Sequence, residues 1–295
     1  MSKYRRLRER VGTDLEGIAL AEPPAATDGQ LALAHAPEYI DRISKGLVTP
    51  AEQRAIGFPW SEAMVERSRR SVGATISACR AALAEGVAVS LAGGTHHAQH
   101  ARGAGYCVFN DAAVAARQLQ ADSAKPGRQL PVAIIDLDVH QGDGTAQILA
   151  GDTAIFTLSL HGATNFPFRK QTSCLDIGLP DGTGDADYLA QLDAALCELQ
   201  RRFAPQFILY LAGADPHEDD RLGKLKLSLD GIGCRDQRIF EFAERLQVPI
   251  AVTMAGGYGR DIATTVAIHL QTVRLAFQSW QRRRVAVGER EVRSA

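Results

Sequence analysis

Short, apolar, β-branched runs recur along the chain: VAVSL at 87–91, VAIIDL at 132–137, AIFTLSL at 154–160, FILYL at 207–211 and PIAVTM at 249–254. None alternates strictly between apolar and polar, so each reads as a strand buried on both faces rather than on one. Between them, at about 111–121, 186–203, 235–246 and 260–281, apolar residues return at helical spacing. A strand followed by a helix, repeated, predicts one domain of three-layer α/β/α architecture around a mostly parallel central sheet. Ahead of the first strand, Ser61 is placed to cap a helix that runs to about residue 85 and stops at Gly86. Residues 12–60, with the loop AEPPAATDG, read as peripheral turns and short helices. The basic start, MSKYRRLRERV, has helix-like spacing and is expected to present a solvated face. The C-terminal QRRRVAVGEREVRSA is polar and is expected to fray. There is no internal repeat and no shift of composition on the scale of a domain.

Polar residues cluster immediately after the strands: AGGTHHAQH, DVHQGDG, HGATNF, AGADPHEDD and AGGYGRD. In open parallel sheets ligands bind beyond the carboxyl ends of the strands, so the five loops are expected to share one rim. The second cluster is the densest. While the backbone stays extended, Asp136, Asp138 and His140 lie on one side of it, because facing alternates with period two. Buried carboxylates without partners are costly, so these either form an ion-pair network or hold a cation. Asp215, at the end of another strand, favours the cation. Two carboxylates and one imidazole leave an open position on a divalent ion that activates water. Asp136 and Asp143 are then free to orient two further imidazoles, and His96 and His97 follow a Gly-Gly pair in a neighbouring loop. Tyr258, between glycines in AGGYG, either packs as a turn aromatic or donates to an oxyanion as a carbonyl becomes tetrahedral. His35, His100, His161, His217 and His269 read as structural or rim residues.

Composition narrows the partners. The 295 residues are 45% hydrophobic and 23% charged, with 33 basic against 34 acidic side chains and a net charge of -1. That balance gives no footprint for nucleic acid. No apolar run reaches the roughly 18 to 20 residues of a membrane span, and the N-terminus lacks the apolar segment of a signal peptide. Five scattered cysteines without a CxxC pair point to reduced thiols and a cytoplasmic location.

The ordered motifs GGTHHA, GYCVFND, IDLDVHQGDG, LSLH, GADPHEDDRLG and GGYG resemble the histone deacetylase superfamily, within the arginase/deacetylase fold, over about residues 35–280. The resemblance implies a catalytic domain over 1–281 and a polar tail over 282–295. It implies one Zn2+, with Fe2+ the alternative, on Asp138, His140 and Asp215. His97 would be the main proton carrier, oriented by Asp143, and His96 an electrostatic partner, oriented by Asp136. Tyr258 would polarise the scissile carbonyl; Gly105, Tyr106 and Phe166 would line the tunnel for an acyl-lysine stem. A structural K+ would lie near the backbone oxygens of Asp136, Asp138 and His140 and the Ser159 and Leu160 region. The implied function is metal-dependent hydrolysis of an acyl group, acetyl or longer, from protein lysines or a related amine. An acetylpolyamine or other small amide is the alternative substrate. The motifs are most similar in flavour to bacterial deacetylase-like amidohydrolases and class IV histone deacetylases, and Gln141, where class I relatives carry a second histidine, resembles class IV members. Related bacterial chains carry an extra strand and a loop like GHRFP ahead of the segment similar to KYRRLRERV. That strand and loop are missing from this sequence, which puts part of the pocket lip in question.

Three rival readings account for less of the pattern. An arginase-type ureohydrolase would use two manganese ions and gives the twin histidines and GGYG no role. A metallophosphoesterase would need an asparagine-histidine element that the chain lacks. A silent acyl-lysine binding protein would have no need of the full set of chemical residues.

Overall fold

The computed structural model describes residues 2–123 and 129–294. Its elements in chain order are α1 (Ser2–Asp14), α2 (Asp28–Leu31), α3 (Pro37–Lys45), α4 (Pro50–Ile56), α5 (Glu62–Glu85), β1 (Val87–Ser90), α6 (Asp111–Asp122), β2 (Val132–Asp136), α7 (Asp143–Ile148), β3 (Ile155–Gly162), β4 (Leu175–Leu179), α8 (Asp185–Arg202), β5 (Phe207–Ala212), α9 (Leu229–Leu246), β6 (Ile250–Met254) and α10 (Ile262–Ser294). The six strands form one sheet in the order β1-β6-β5-β2-β3-β4, and every pairing is parallel.

The unbroken apolar runs are strands covered on both sides. Along β2, Ala133 and Ile135 face a core shared with α8, α9 and α10. Val132 and Ile134 face a second core shared with α3, α5 and α6. Successive side chains of a strand point to opposite faces, so one pentapeptide supplies both layers. Each fully buried aliphatic side chain contributes about 1.5 to 3 kcal/mol.

Local signals set the helix ends. Ser61 caps α5, its side chain accepting from Met64 N, and Gly86 closes the same helix with φ +86°. Thr49 and Glu52 form a reciprocal capping box on α4. Helix α1 forms as its spacing predicts, but it is not simply solvated: Leu7 and Val11 are buried in the core beside α10.

Three expectations shift in the structure. LDIGL at 175–179 is a strand, β4, at the sheet edge. Helix α9 begins six residues earlier than its apolar spacing indicated, because Ser228 caps it by accepting from Gly231 N. The helix over 260–281 continues as α10 through the 282–294 stretch that was expected to fray.

The order of the strands positions the site. From β2 the chain moves outward to β3 and β4; from β5, beside β2, it moves the other way to β6. The carboxyl ends of β2 and β5 therefore flank the switch point of the sheet, where the two sets of connecting loops diverge and leave a crevice.

Candidate active site

Asp138 lies just beyond β2 and Asp215 just beyond β5. With His140 they offer ligand atoms that all lie within 4.8 Å of one another. The loop backbone aims them. Asp138 Oδ1 accepts from His140 N at 2.9 Å, Asp138 Oδ2 from Gly256 N at 2.7 Å, and Asp215 Oδ1 from Val139 N at 2.9 Å. His140 Nδ1 stands 2.9 Å from Asp138 Oδ1 and 3.4 Å from Asp215 Oδ2. Asp215 Oδ2 is buried and has no hydrogen bond among the described residues. An orphaned carboxylate oxygen between another carboxylate and an imidazole is the arrangement a divalent cation completes. The electrostatics agree. Burial alone would lower the His140 imidazole, yet the nearby Asp138 and Asp215 carboxylates outweigh burial and raise it to about 10. Burial, helped by the Asp138 charge, pushes Asp215 up to about 6. Both shifts register the same local excess of negative charge.

The loop after β1 carries the paired imidazoles. Gly93 and Gly94 adopt φ +101° and +67°. A side chain at Gly94 would strike Ala255, so this turn needs glycine for space as well as for conformation. His96 Nδ1 donates to Asp136 Oδ2 at 2.7 Å and His97 Nδ1 to Asp143 Oδ1 at 2.6 Å. The two Nε2 atoms are 3.2 Å apart. With both Nδ1 atoms donating outward, that contact requires a proton on one Nε2 only. Burial would lower His96, but Asp136 and Asp138 outweigh it and raise it to about 9. Burial and the neighbouring His96 charge lower His97 to about 4. At neutral pH the pair is thus an imidazolium at His96 whose Nε2 hydrogen faces the lone pair of a neutral imidazole at His97. The His97 ring centroid lies 5.8 Å from that of His140, so this imidazole stands beside the candidate metal position.

Tyr258 lies in the loop after β6. Its amide donates to Asp220 Oδ2 at 2.6 Å and its carbonyl accepts from Arg221 Nε at 3.0 Å. Burial raises the phenol well above its ordinary value, which keeps it a hydrogen-bond donor. Its ring centroid is 5.9 Å from that of Tyr106. Phe166 meets His97 edge-on at 4.9 Å, and a Cβ at Gly105 would come within 2.5 Å of His97 Cδ2. Two partly exposed aromatic rings thus lie against His97 and Tyr258, with a glycine where any side chain would strike His97.

All eleven residues singled out from sequence fall on this rim. Several neighbours were not foreseen. Gln99 donates to Asp143 Oδ2 at 3.1 Å, steadying the partner of His97. Asp111 is fully buried, and accepts from Gly94 N at 3.0 Å, Thr95 N at 2.7 Å and Thr75 Oγ1 at 2.6 Å, fixing the turn that precedes the histidines. Arg235, also fully buried, bridges Leu137 O and Gly213 O and so ties together the ends of β2 and β5. Phe168, 88% exposed, stacks edge-on against Phe166 at the mouth. An acidic residue in the first turn of a helix right after an Asn cap, as at Asp111, was the one available sequence signal. The other histidines are structural as expected where their bonds are visible: His35 Nδ1 donates to Gln99 O and its Nε2 accepts from Asn110 N.

A parallel α/β sheet bearing an Asp-His-Asp cluster and two carboxylate-bound imidazoles at its switch point defines a hydrolase of the arginase/deacetylase type. Comparison with known proteins makes the assignment specific. A family model described as "Histone deacetylase domain" matches residues 2–273, and the chain belongs to that family of hydrolytic deacetylases. The match extends upstream of the motifs to include α1. An uncharacterized protein of Picosynechococcus sp. is 39% identical over 271 residues, covering 91% of this chain and 89% of that one. Histone deacetylase 2 of Arabidopsis thaliana is 31% identical over 284 residues, covering 92% and 72%. A solved HDAC homolog complexed with SAHA superposes with a TM-score of 0.78 at 25% identity, covering 93% of this chain and 77% of that one.

Proposed function

We propose that the protein is a zinc-dependent amidohydrolase that removes an acyl group from lysine side chains of proteins or peptides. The observation that carries this reading is the orphaned Oδ2 of Asp215 facing Asp138 and His140, with the His97 ring beside them. Asp138, His140 and Asp215 would hold the ion, and a divalent ion there polarises an acyl carbonyl and makes water a better nucleophile. The His97 Nε2 lone pair turns from the His96 hydrogen to water and takes its proton as the water oxygen attacks the carbonyl carbon, and Asp143 keeps the ring aligned. Tyr258 donates to the oxygen that gains charge. His97 then passes its proton to the amine nitrogen as the carbon-nitrogen bond breaks. His96, held charged by Asp136, keeps His97 neutral until the water arrives. Gly105, Tyr106 and Phe166 grip the aliphatic stem of the substrate. A potassium ion beneath the site would use backbone oxygens near Asp136, Asp138, His140 and Leu160, with Ser159.

Aromatic rings at Tyr106 and Phe166 beside Tyr258 and His97 suit an extended methylene chain, which favours acyl-lysine over a ureohydrolase substrate. An acylated polyamine has the same stem and is the second reading. The near-neutral charge supports neither a nucleic-acid partner nor an anionic surface. The free cysteines among the described residues accord with a cytoplasmic home. A panel of acyl-lysine peptides and acylpolyamines, with released acid measured, tests the proposal. Hydroxamate-sensitive release from the peptides supports it, and turnover of the polyamines alone moves the assignment to small amines. Release from neither contradicts an amidohydrolase.

A further inference from the structure

The loop that carries Tyr258 has glycines at 256, 257 and 259 and little rigidity of its own. Its shape is imposed from outside. Gly256 N is held by Asp138 and Tyr258 N by Asp220, both from the strand-end loops. Gly256 O accepts from Ala214 N and Tyr258 O from Arg221, which leaves Ala255 O and Gly257 O to a group on the first helix. Lys3, on α1, places Nζ 3.2 Å from Ala255 O and 3.3 Å from Gly257 O, and 5.5 Å from the centroid of the Tyr258 ring. Leu7 and Val11 anchor α1 in the core, so the ammonium is delivered by a packed helix and not by a loose terminus.

From this geometry we infer that Lys3 is a positioning residue for Tyr258, clamping the two carbonyls that precede the phenol and resting a cation against its ring. The inference builds on the reading of Tyr258 as the oxyanion donor. Two charge-assisted bonds remove the freedom of Ala255 and Gly257, which are the hinge on which the ring would swing. A cation within about 6 Å of an aromatic centroid is attracted to its face, so ring and ammonium hold each other in register. The same positive charge favours the phenol as it shares its hydrogen with a developing oxyanion. The effect belongs to the transition state, and so to kcat rather than KM.

The test is a double-mutant cycle on the zinc-loaded enzyme with the most rapidly cleaved substrate of the panel, with melting temperature and zinc content recorded for each variant. Lys3→Met is expected to lower kcat by about tenfold with KM and zinc content unchanged, and Lys3→Arg to recover most of the loss. In a Tyr258→Phe background, Lys3→Met should have no further effect, because the residue it positions is gone. Amide hydrogen exchange across the 254–260 loop should quicken in Lys3→Met and not in Lys3→Arg. Wild-type kcat in Lys3→Met overturns the proposal, as does an equal loss in both backgrounds, which would make Lys3 merely structural. Full activity in Tyr258→Phe alone would instead overturn the reading on which the proposal rests.

Discussion

At the scale of single residues, every imidazole of the site, charged or neutral, stands against at least one buried carboxylate. Removing the phenolic hydroxyl with Tyr258→Phe deletes one donor to the oxyanion. We expect a fall in kcat on the order of a hundredfold, equivalent to about 3 kcal/mol, with zinc content unchanged by elemental analysis. Asp143→Asn should be as damaging for a different reason. It frees the His97 ring to take the wrong tautomer and removes the anion that stabilises the ring once protonated, so the loss should appear in steady-state kinetics without loss of metal. The carboxylates of the proposed site are legible in the sequence because their type is costly to bury without a reason: Asp136, Asp138, Asp143 and Asp215 announce themselves at strand ends. Gln99, Asp111 and Arg235 were not. Each acts on backbone or on another side chain far away in sequence, and Arg235 reaches Leu137 across 98 positions. No local pattern encodes such a contact.

At the scale of elements, the strands were read from composition and the helices from period, and both readings hold where packing and pattern coincide. Ile134, on the wholly buried β2, is 1% exposed. Its change to Ala should cost about 2 to 5 kcal/mol in denaturant unfolding, since deletion leaves a cavity as well as lost transfer energy. Strand β4 escaped notice because it is short, contains Gly178, and pairs only with β3 at the edge of the sheet, so four of its five residues are not fully buried. The start of α9 escaped because its first turn, LDGIG, is poor in helix formers and is set by the Ser228 cap and by packing. Asp111 joins elements rather than belonging to one: it links α6 to Thr75 on α5 and to the turn after β1. Asp111→Asn would turn an amide hydrogen toward these donors. The expected penalty is about 1 to 3 kcal/mol, with a drop in kcat from looser histidines; an unchanged melting temperature would contradict the role.

At the scale of the whole molecule, the histidines set how stability follows pH in the metal-free protein. His96 and His140 keep their protons to about 9 and about 10 in the fold, against about 6.5 in the unfolded chain. The folded state binds more protons over that window, so the stability they contribute is complete below about pH 6.5 and is lost as pH rises through these values. Burial lowers His35, His97 and His161 to about 4, and the unfolded chain therefore binds more protons between 4 and 6.5. Their contribution is lost as pH falls through that range. Melting of the chelator-treated protein should peak near pH 6.5 and decline on both sides; a melting temperature that climbs from pH 7 to pH 9.5 would contradict these assignments. Saturating zinc should weaken the alkaline decline, because an ion on His140 replaces the proton.

The central claim is that the crevice at the ends of β2 and β5 is built for one divalent cation. Zinc titration followed by an anomalous difference map of the loaded protein addresses it most directly. The account predicts one ion per chain, in contact with Asp138, His140 and the free Oδ2 of Asp215, with the two imidazole rings beside it. Two ions in the crevice, or none touching those three side chains, would contradict it.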